Sequence, residues 1–96
     1  MLRIAICDDE EQQLHKTAAL LERYLKARPE HSAHEETFKS GREMLACAED
    51  TGGFDVYILD ILMPGLSGID TGRKLRQQRD GGEIVYLTAS NDFAAA

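Results

Sequence analysis

Four side chains in this sequence could handle a cation and a phosphoryl group together. Asp8 and Asp9 follow the apolar run 2–7, Asp60 ends a second apolar run, and Thr88 follows a third. Ligands of an open parallel sheet sit outside the C-terminal ends of its strands. If the three runs are neighbouring parallel strands, these four groups converge on one small pocket. Three carboxylates there repel one another, and an apolar sheet end solvates charge poorly. A hard divalent cation resolves the conflict, and a few oxygen ligands with waters retained suit Mg²⁺. The same ion could neutralise oxygens of an incoming phosphoryl group while a carboxylate attacks in line. The Thr88 hydroxyl could donate to those oxygens. Each residue alone has a plainer explanation. Aspartate after a strand is a common helix N-cap, and Asp9 with Gln12 has the capping-box spacing. Threonine is an ordinary strand residue. The coincidence of all four at one sheet edge favours the site.

The elements that must position them follow from two alternating periodicities. Residues 2–7 form a short apolar run, expected as a buried strand. Leu14, Ala18, Leu21 and Leu25 recur at helical spacing and stop before Pro29. Residues 33–38 predict a more polar edge strand. Ser40 with Glu43 predicts a capping box and a helix through Met44, Leu45 and Ala48. Gly52-Gly53 breaks the chain before a third strand over 54–59. Met63-Pro64-Gly65 predicts a turn. Ser67, with Asp70 three residues on, is expected to cap a helix carrying Ile69 and Leu75 that Gly81-Gly82 stops. Residues 84–87 predict a fourth strand, and residues 91–96 could begin another helix. The alternation predicts an α/β fold: a doubly wound parallel sheet with helices on both faces, in one domain over residues 1–96.

Composition agrees with such a domain and argues against some partners. With 96 residues, 43% hydrophobic and 29% charged, the chain suits one globular unit with a modest core. Its formal net charge of -6 disfavours direct grip on nucleic acid or anionic lipid. No apolar run approaches the ~20 residues of a membrane span, and no secretory signal is evident at the N-terminus. A cytoplasmic protein without membrane contact is expected. Cys7 and Cys47 lack zinc-site spacing and are expected as reduced, buried thiols.

Three segments carry a family resemblance. Residues 3–10, RIAICDDE, resemble the opening of response regulator receiver domains, the CheY-like family of two-component signalling. Residues 55–65, DVYILDILMPG, with Ser67-Gly68, look like their phosphoacceptor strand and loop. Residues 84–89, IVYLTA, are similar to their fourth strand and switch threonine. The resemblance implies the flavodoxin-like strand order 2-1-3-4-5, for which a chemotaxis receiver is a known example. It implies Asp60 as phosphoacceptor, Asp9 as direct Mg²⁺ ligand, Asp8 acting mainly through water, and the backbone carbonyl of Leu62 completing the protein's share of the metal shell. Thr88 and the backbone N–H groups of Leu62 and Ala89 would hold the phosphoryl oxygens. The implied partner is a sensor histidine kinase, with DNA reached only through a further C-terminal domain. Cys7, Ser67 and Asn91-Asp92-Phe93 are similar to regulators with a LytTR-type DNA-binding domain.

One departure from that family pattern shapes the remaining expectations. Receivers carry a lysine at the end of a fifth strand, and here no lysine follows Thr88. The sequence looks like a receiver cut before its fifth strand and last helix, giving the order 2-1-3-4. Such a fragment would have an apolar fourth strand at its edge and is expected to self-associate. Two other functions compete with a switched receiver. A magnesium-dependent aspartyl-phosphate phosphohydrolase would need a second acid two residues after its nucleophile, where this chain has Leu62. A non-switching interaction module would keep the fold alone. A signalling module rather than an enzyme is expected. His15, His31 and His34 share no spacing and are expected on the surface or in packing. Arg73, Lys74, Arg76 and Arg79 are expected as a solvated face. Gly65 and Gly68 are expected to supply permissive backbone angles in turns.

Overall fold

The computed structural model describes residues 1–87. They form β1 (Leu2–Cys7), α1 (Glu11–Lys26), β2 (Ala33–Phe38), α2 (Gly41–Thr51), β3 (Val56–Asp60), α3 (Gly68–Gln77) and β4 (Glu83–Leu87). The strands make one parallel sheet, as the alternation predicts, in the order β2-β1-β3-β4 that the family resemblance implies. Thr88, Ala89 and Asn91-Asp92-Phe93 lie outside the described residues.

Side-chain alternation divides the core between the two sheet faces. Ile4 and Ile6 of β1, with Val56 and Ile58 of β3, meet Leu14, Ala18 and Leu21 of α1. Ala5 and Cys7, with Tyr57 and Leu59, point the other way onto Met44, Leu45 and Ala48 of α2 and Leu75 of α3. The second face holds the larger buried cluster. On the first face α1 leaves part of the sheet open among the described residues: Leu20 is 63% exposed and Val85 46%.

The predicted serine caps are present. The Ser40 hydroxyl accepts from the Glu43 N–H at 3.2 Å, and the Ser67 hydroxyl from the Asp70 N–H at 3.1 Å. Several boundaries differ from the expectation, each for a local reason. Strand β3 begins at Val56 rather than Phe54, because the Phe54 N–H donates to the Tyr57 hydroxyl at 3.0 Å. Asp55 is clamped from both sides by Arg3: its N–H donates to the Arg3 carbonyl, and its carboxylate accepts from the Arg3 N–H. Cys47 is half-buried rather than buried, while Cys7 is buried as expected; both are free thiols. The three histidines are exposed, as are Arg73, Lys74, Arg76 and Arg79.

Gly81-Gly82 does not stop α3. The helix ends at Gln77, and the left-handed position falls on Arg79 with φ 62°. The Asp80 N–H bonds the Leu75 carbonyl and the Arg79 N–H bonds the Arg76 carbonyl, the two bonds of a Schellman end. Asp80 is held in turn by the Tyr57 hydroxyl and by the Gly82 N–H at 2.9 Å. Gly82 serves close approach instead: a Cβ there would strike the Phe54 carbonyl and the Tyr57 ring. A non-glycine residue in the left-handed region costs about 1–2 kcal/mol, partly offset in glycine by its freer unfolded chain. Arg79→Gly is therefore expected to stabilise the fold by about 0.5–1 kcal/mol. A higher urea midpoint at unchanged slope checks this; a lower midpoint would show that Arg79 makes contacts that outweigh its strain.

Candidate metal and phosphoryl site

The acidic cluster is a product of strand register. Cys7 pairs with Leu59, and one further step along both strands sets Asp8 beside Asp60. The Asp8 N–H is anchored to the Phe38 carbonyl at 3.0 Å, so β2 also holds the end of β1. Carboxylate oxygens of Asp8, Asp9 and Asp60 all lie within 4.8 Å of one another. Asp8 and Asp60 are buried, 4% and 8% exposed, whereas Asp9 is exposed.

None of these acids is spent on capping α1. Its N-cap is Glu10, which makes no side-chain cap bond, so the capping-box alternative at Asp9 and Gln12 is not realised. Asp8 Oδ1 accepts the Glu10 N–H at 2.9 Å, which orients the carboxylate at the strand end. Asp60 Oδ1 accepts the Leu62 N–H across a long 3.4 Å. Burial is the main cause that raises the pKa of both Asp8 and Asp60. The neighbouring acids add to it by repulsion, against the lowering effect of those backbone donors. Two buried carboxylates and one exposed one, all hard oxygen donors, fit a small divalent cation.

The loop after β3 is built to hold Asp60 in place. The Ile61 N–H bonds the Leu87 carbonyl at 2.9 Å, and the Gly68 N–H bonds the Ile61 carbonyl at 3.1 Å. Gly65 has φ 74° and fulfils the turn expectation. Gly68 does not: it is the first residue of α3, without a positive φ, and its role is space. A Cβ at Gly68 would run into the Asp60 carbonyl oxygen. Only proximity of α3 to β3 reveals that requirement, and the sequence carries no signal that separates it from a turn glycine. Below the pocket, the Cys7 thiol meets the Met63 sulfur at 3.7 Å. Burial, ahead of Asp8 and Asp60, pushes the Cys7 thiol up to about 12, so it stays protonated beside the acids.

The remaining predicted site residues are placed as follows. Leu62 sits two residues beyond Asp60, its side chain 67% exposed. The register partner of Asp60 is Leu87, the residue before Thr88. Thr88 and Ala89 themselves fall outside the described residues. Among the described residues, no helix is long and apolar enough to cross a membrane.

A parallel 2-1-3-4 sheet with acids at the ends of β1 and β3 is the arrangement of receiver domains, and comparison with known proteins agrees. The family model "Response regulator receiver domain" matches residues 4–96, and the chain belongs to that family. It is 35% identical over 88 residues to the transcriptional regulatory protein TcrA of Mycobacterium tuberculosis, covering 92% of this chain and 32% of that protein. It is 37% identical over 91 residues to the regulatory protein VanR of Enterococcus faecium, covering 93% of this chain and 35% of VanR. The chain thus spans about a third of the length of these curated relatives. Among solved structures, it resembles a receiver domain protein from Clostridium thermocellum with a TM-score of 0.78. The two are 28% identical, over 100% of this chain and 71% of that one. The response regulator TrrA from Thermotoga maritima, solved in complex with Mg²⁺-BeF, matches with a TM-score of 0.69. Its identity is 32%, over 99% of this chain and 76% of TrrA.

Proposed function

We propose that this receiver accepts a phosphoryl group on Asp60 with Mg²⁺ held by Asp8, Asp9, Asp60 and the Leu62 carbonyl. The observation that carries it is the three-carboxylate cluster within 4.8 Å at the ends of adjacent strands. A magnesium ion bound there supplies positive charge against the phosphoryl oxygens. The rest falls to the chain. Asp60 is fixed at one oxygen by the Leu62 N–H, which leaves its second oxygen to attack phosphorus. The new bond joins that oxygen to phosphorus. The bond broken is phosphorus–nitrogen in a phosphohistidine, or phosphorus–oxygen in a small acyl phosphate, and the leaving atom keeps the electron pair. The Thr88 hydroxyl and the Ala89 N–H then hold the transferred oxygens.

The module acts as a signalling switch in the cytoplasm. Its phosphodonor partner is a sensor histidine kinase, and DNA is reached through a separate C-terminal domain of the regulator. The regulator names of TcrA and VanR support that reading, and the Mg²⁺-BeF complex of TrrA supports the ion. Leu62 favours a switch over a phosphohydrolase, because its side chain offers no acid or base at the second position after Asp60. Transfer from a small phosphodonor, followed by intact mass, tests the proposal.

The 96-residue chain studied alone is also expected to self-associate. Among the described residues β4 pairs only with β3, and Val85 and Tyr86 upon it are 46% and 39% exposed. An apolar edge of this kind invites pairing with a second copy. Sedimentation velocity across the micromolar range should show a concentration-dependent dimer; a monomer at every concentration would dismiss it.

A further inference from the structure

We propose that Glu22 of α1 and Glu35 of β2 form a proton-linked clasp that holds the C-terminal half of α1 against the sheet edge and loosens when the shared proton leaves. The feature lies far from the acidic pocket, at the other end of α1. Ala33 of β2 belongs to the α1-facing cluster, and Glu35, two residues on, shares that face. Its register neighbour is Ile4, only 5% exposed. A carboxyl group therefore occupies a position where the strand pattern calls for an apolar side chain. Glu22 follows Leu21, a member of the same cluster, and lines the same cleft of about 610 Å³ as Glu35, Leu25, Lys26, His31 and His34.

A single shared proton between the half-buried Glu35 and the exposed Glu22 satisfies the hydrogen bonding there. Glu35 Oε2 is buried and finds no donor in the protein. Leaving a buried charged oxygen unsatisfied is costly. The Glu22 carboxyl is within hydrogen-bonding reach of Glu35. Two carboxylates cannot bond each other, since both are acceptors only; one proton between them makes a donor and an acceptor. The surrounding charges do not replace that proton. His34 is engaged with Glu36 at 3.1 Å, and His31 lies 3.9 Å from Glu30. Lys26 lines the cleft, but among the described residues no ion pair joins it to Glu22 or Glu35. Beside Glu35 on β1 stands apolar Ile4, and the Arg3 guanidinium lies over the Phe54 ring on the opposite face. In keeping with this, burial first and Glu22 second raise the Glu35 pKa, against a smaller lowering by His34.

A carboxyl whose pKa is raised in the native state binds its proton more tightly there than in the unfolded chain. Its contribution is complete at acid pH and is lost as pH climbs from the ordinary glutamate range through the raised value. The test is a carbon-detected NMR titration of the glutamate carboxyls combined with amide exchange over Leu21–Lys26. Glu35 is expected to titrate above the ordinary range. Intrinsic-rate-corrected protection of those amides should fall roughly five- to tenfold through the same titration, the net worth of about one hydrogen bond. Glu35→Gln and Glu22→Gln each supply a permanent donor and should abolish that pH dependence. A Glu35 that titrates in the ordinary range would overturn the clasp. So would a Gln variant that keeps the wild-type pH dependence; should Glu35→Gln fail to fold, Glu22→Gln decides alone.

Discussion

Millimolar Mg²⁺ should raise the melting temperature of the wild-type chain substantially and that of Asp9→Asn hardly at all. The expectation begins with the ion-free protein. Two unit charges 4.8 Å apart repel by about 1 kcal/mol in bulk water and by about 3.5 kcal/mol at an effective dielectric of 20. Asp9 is exposed and Asp8 and Asp60 buried, so the cluster falls between those limits. Because the pKa values of Asp8 and Asp60 are raised, the native state holds protons more tightly than the unfolded chain. Without metal, this part of the stability is present at acid pH and drains away as pH rises above the ordinary aspartate range. A cation that binds only the native state reverses the trend. At a hundredfold excess over Kd it adds about 2.7 kcal/mol, or roughly 10–20 °C for a domain of this size. Asp9 is the informative position, because its exposure makes Asp9→Asn harmless to packing. An equal thermal response to Mg²⁺ in both proteins would remove Asp9 from the ligand set.

Treatment with a small acyl phosphate should add one phosphoryl group, about 80 Da and a charge of roughly -1.5 to -2, to the wild-type chain only. Asp60→Asn is expected to carry none, a change from near-stoichiometric labelling to background. The variant should fold, and without metal it should melt above wild type, since it deletes one of three mutually repelling charges. That gain separates lost chemistry from lost structure. Label that persists in Asp60→Asn would move the phosphoacceptor elsewhere. Repeated turnover with release of inorganic phosphate would instead favour a phosphohydrolase, which the aliphatic Leu62 argues against.

The acids at the strand ends and the parallel sheet were legible because their determinants are local, whereas the order of the strands was implied by the family resemblance. Apolar runs end in Asp8 and Asp60, and the alternation of strand and helix admits few topologies. Ser40 and Ser67 announce their helices through contacts three residues away. What stayed hidden depends on groups distant in sequence. Gly68 resembles a turn glycine until the Asp60 carbonyl is seen against it. The end of α3 falls on Arg79 instead of the obvious Gly81-Gly82, because Tyr57 and Gly82 hold Asp80 and stabilise the left-handed turn from outside. Phe54 looks like a strand residue, yet the same Tyr57 hydroxyl captures its N–H. The Glu22–Glu35 contact joins a helix to a strand, which no periodicity encodes.

The order of strands also has a kinetic meaning. β1 must find β3 across the longest connection in the sheet, as the bond between Arg3 and Asp55, 52 residues apart, shows. The β1–β2 and β3–β4 pairs close shorter loops and can form within each half of the chain. The three aspartates meet only when the halves join, so their repulsion is felt at that joining and not before. If the joining is the rate-limiting barrier of folding, a charge deleted at Asp60 will speed refolding and leave unfolding nearly unchanged. Should the halves join after the barrier, the same deletion will slow unfolding instead. The pocket would then serve as a built-in marker of when, along the folding path, the two halves of the sheet come together.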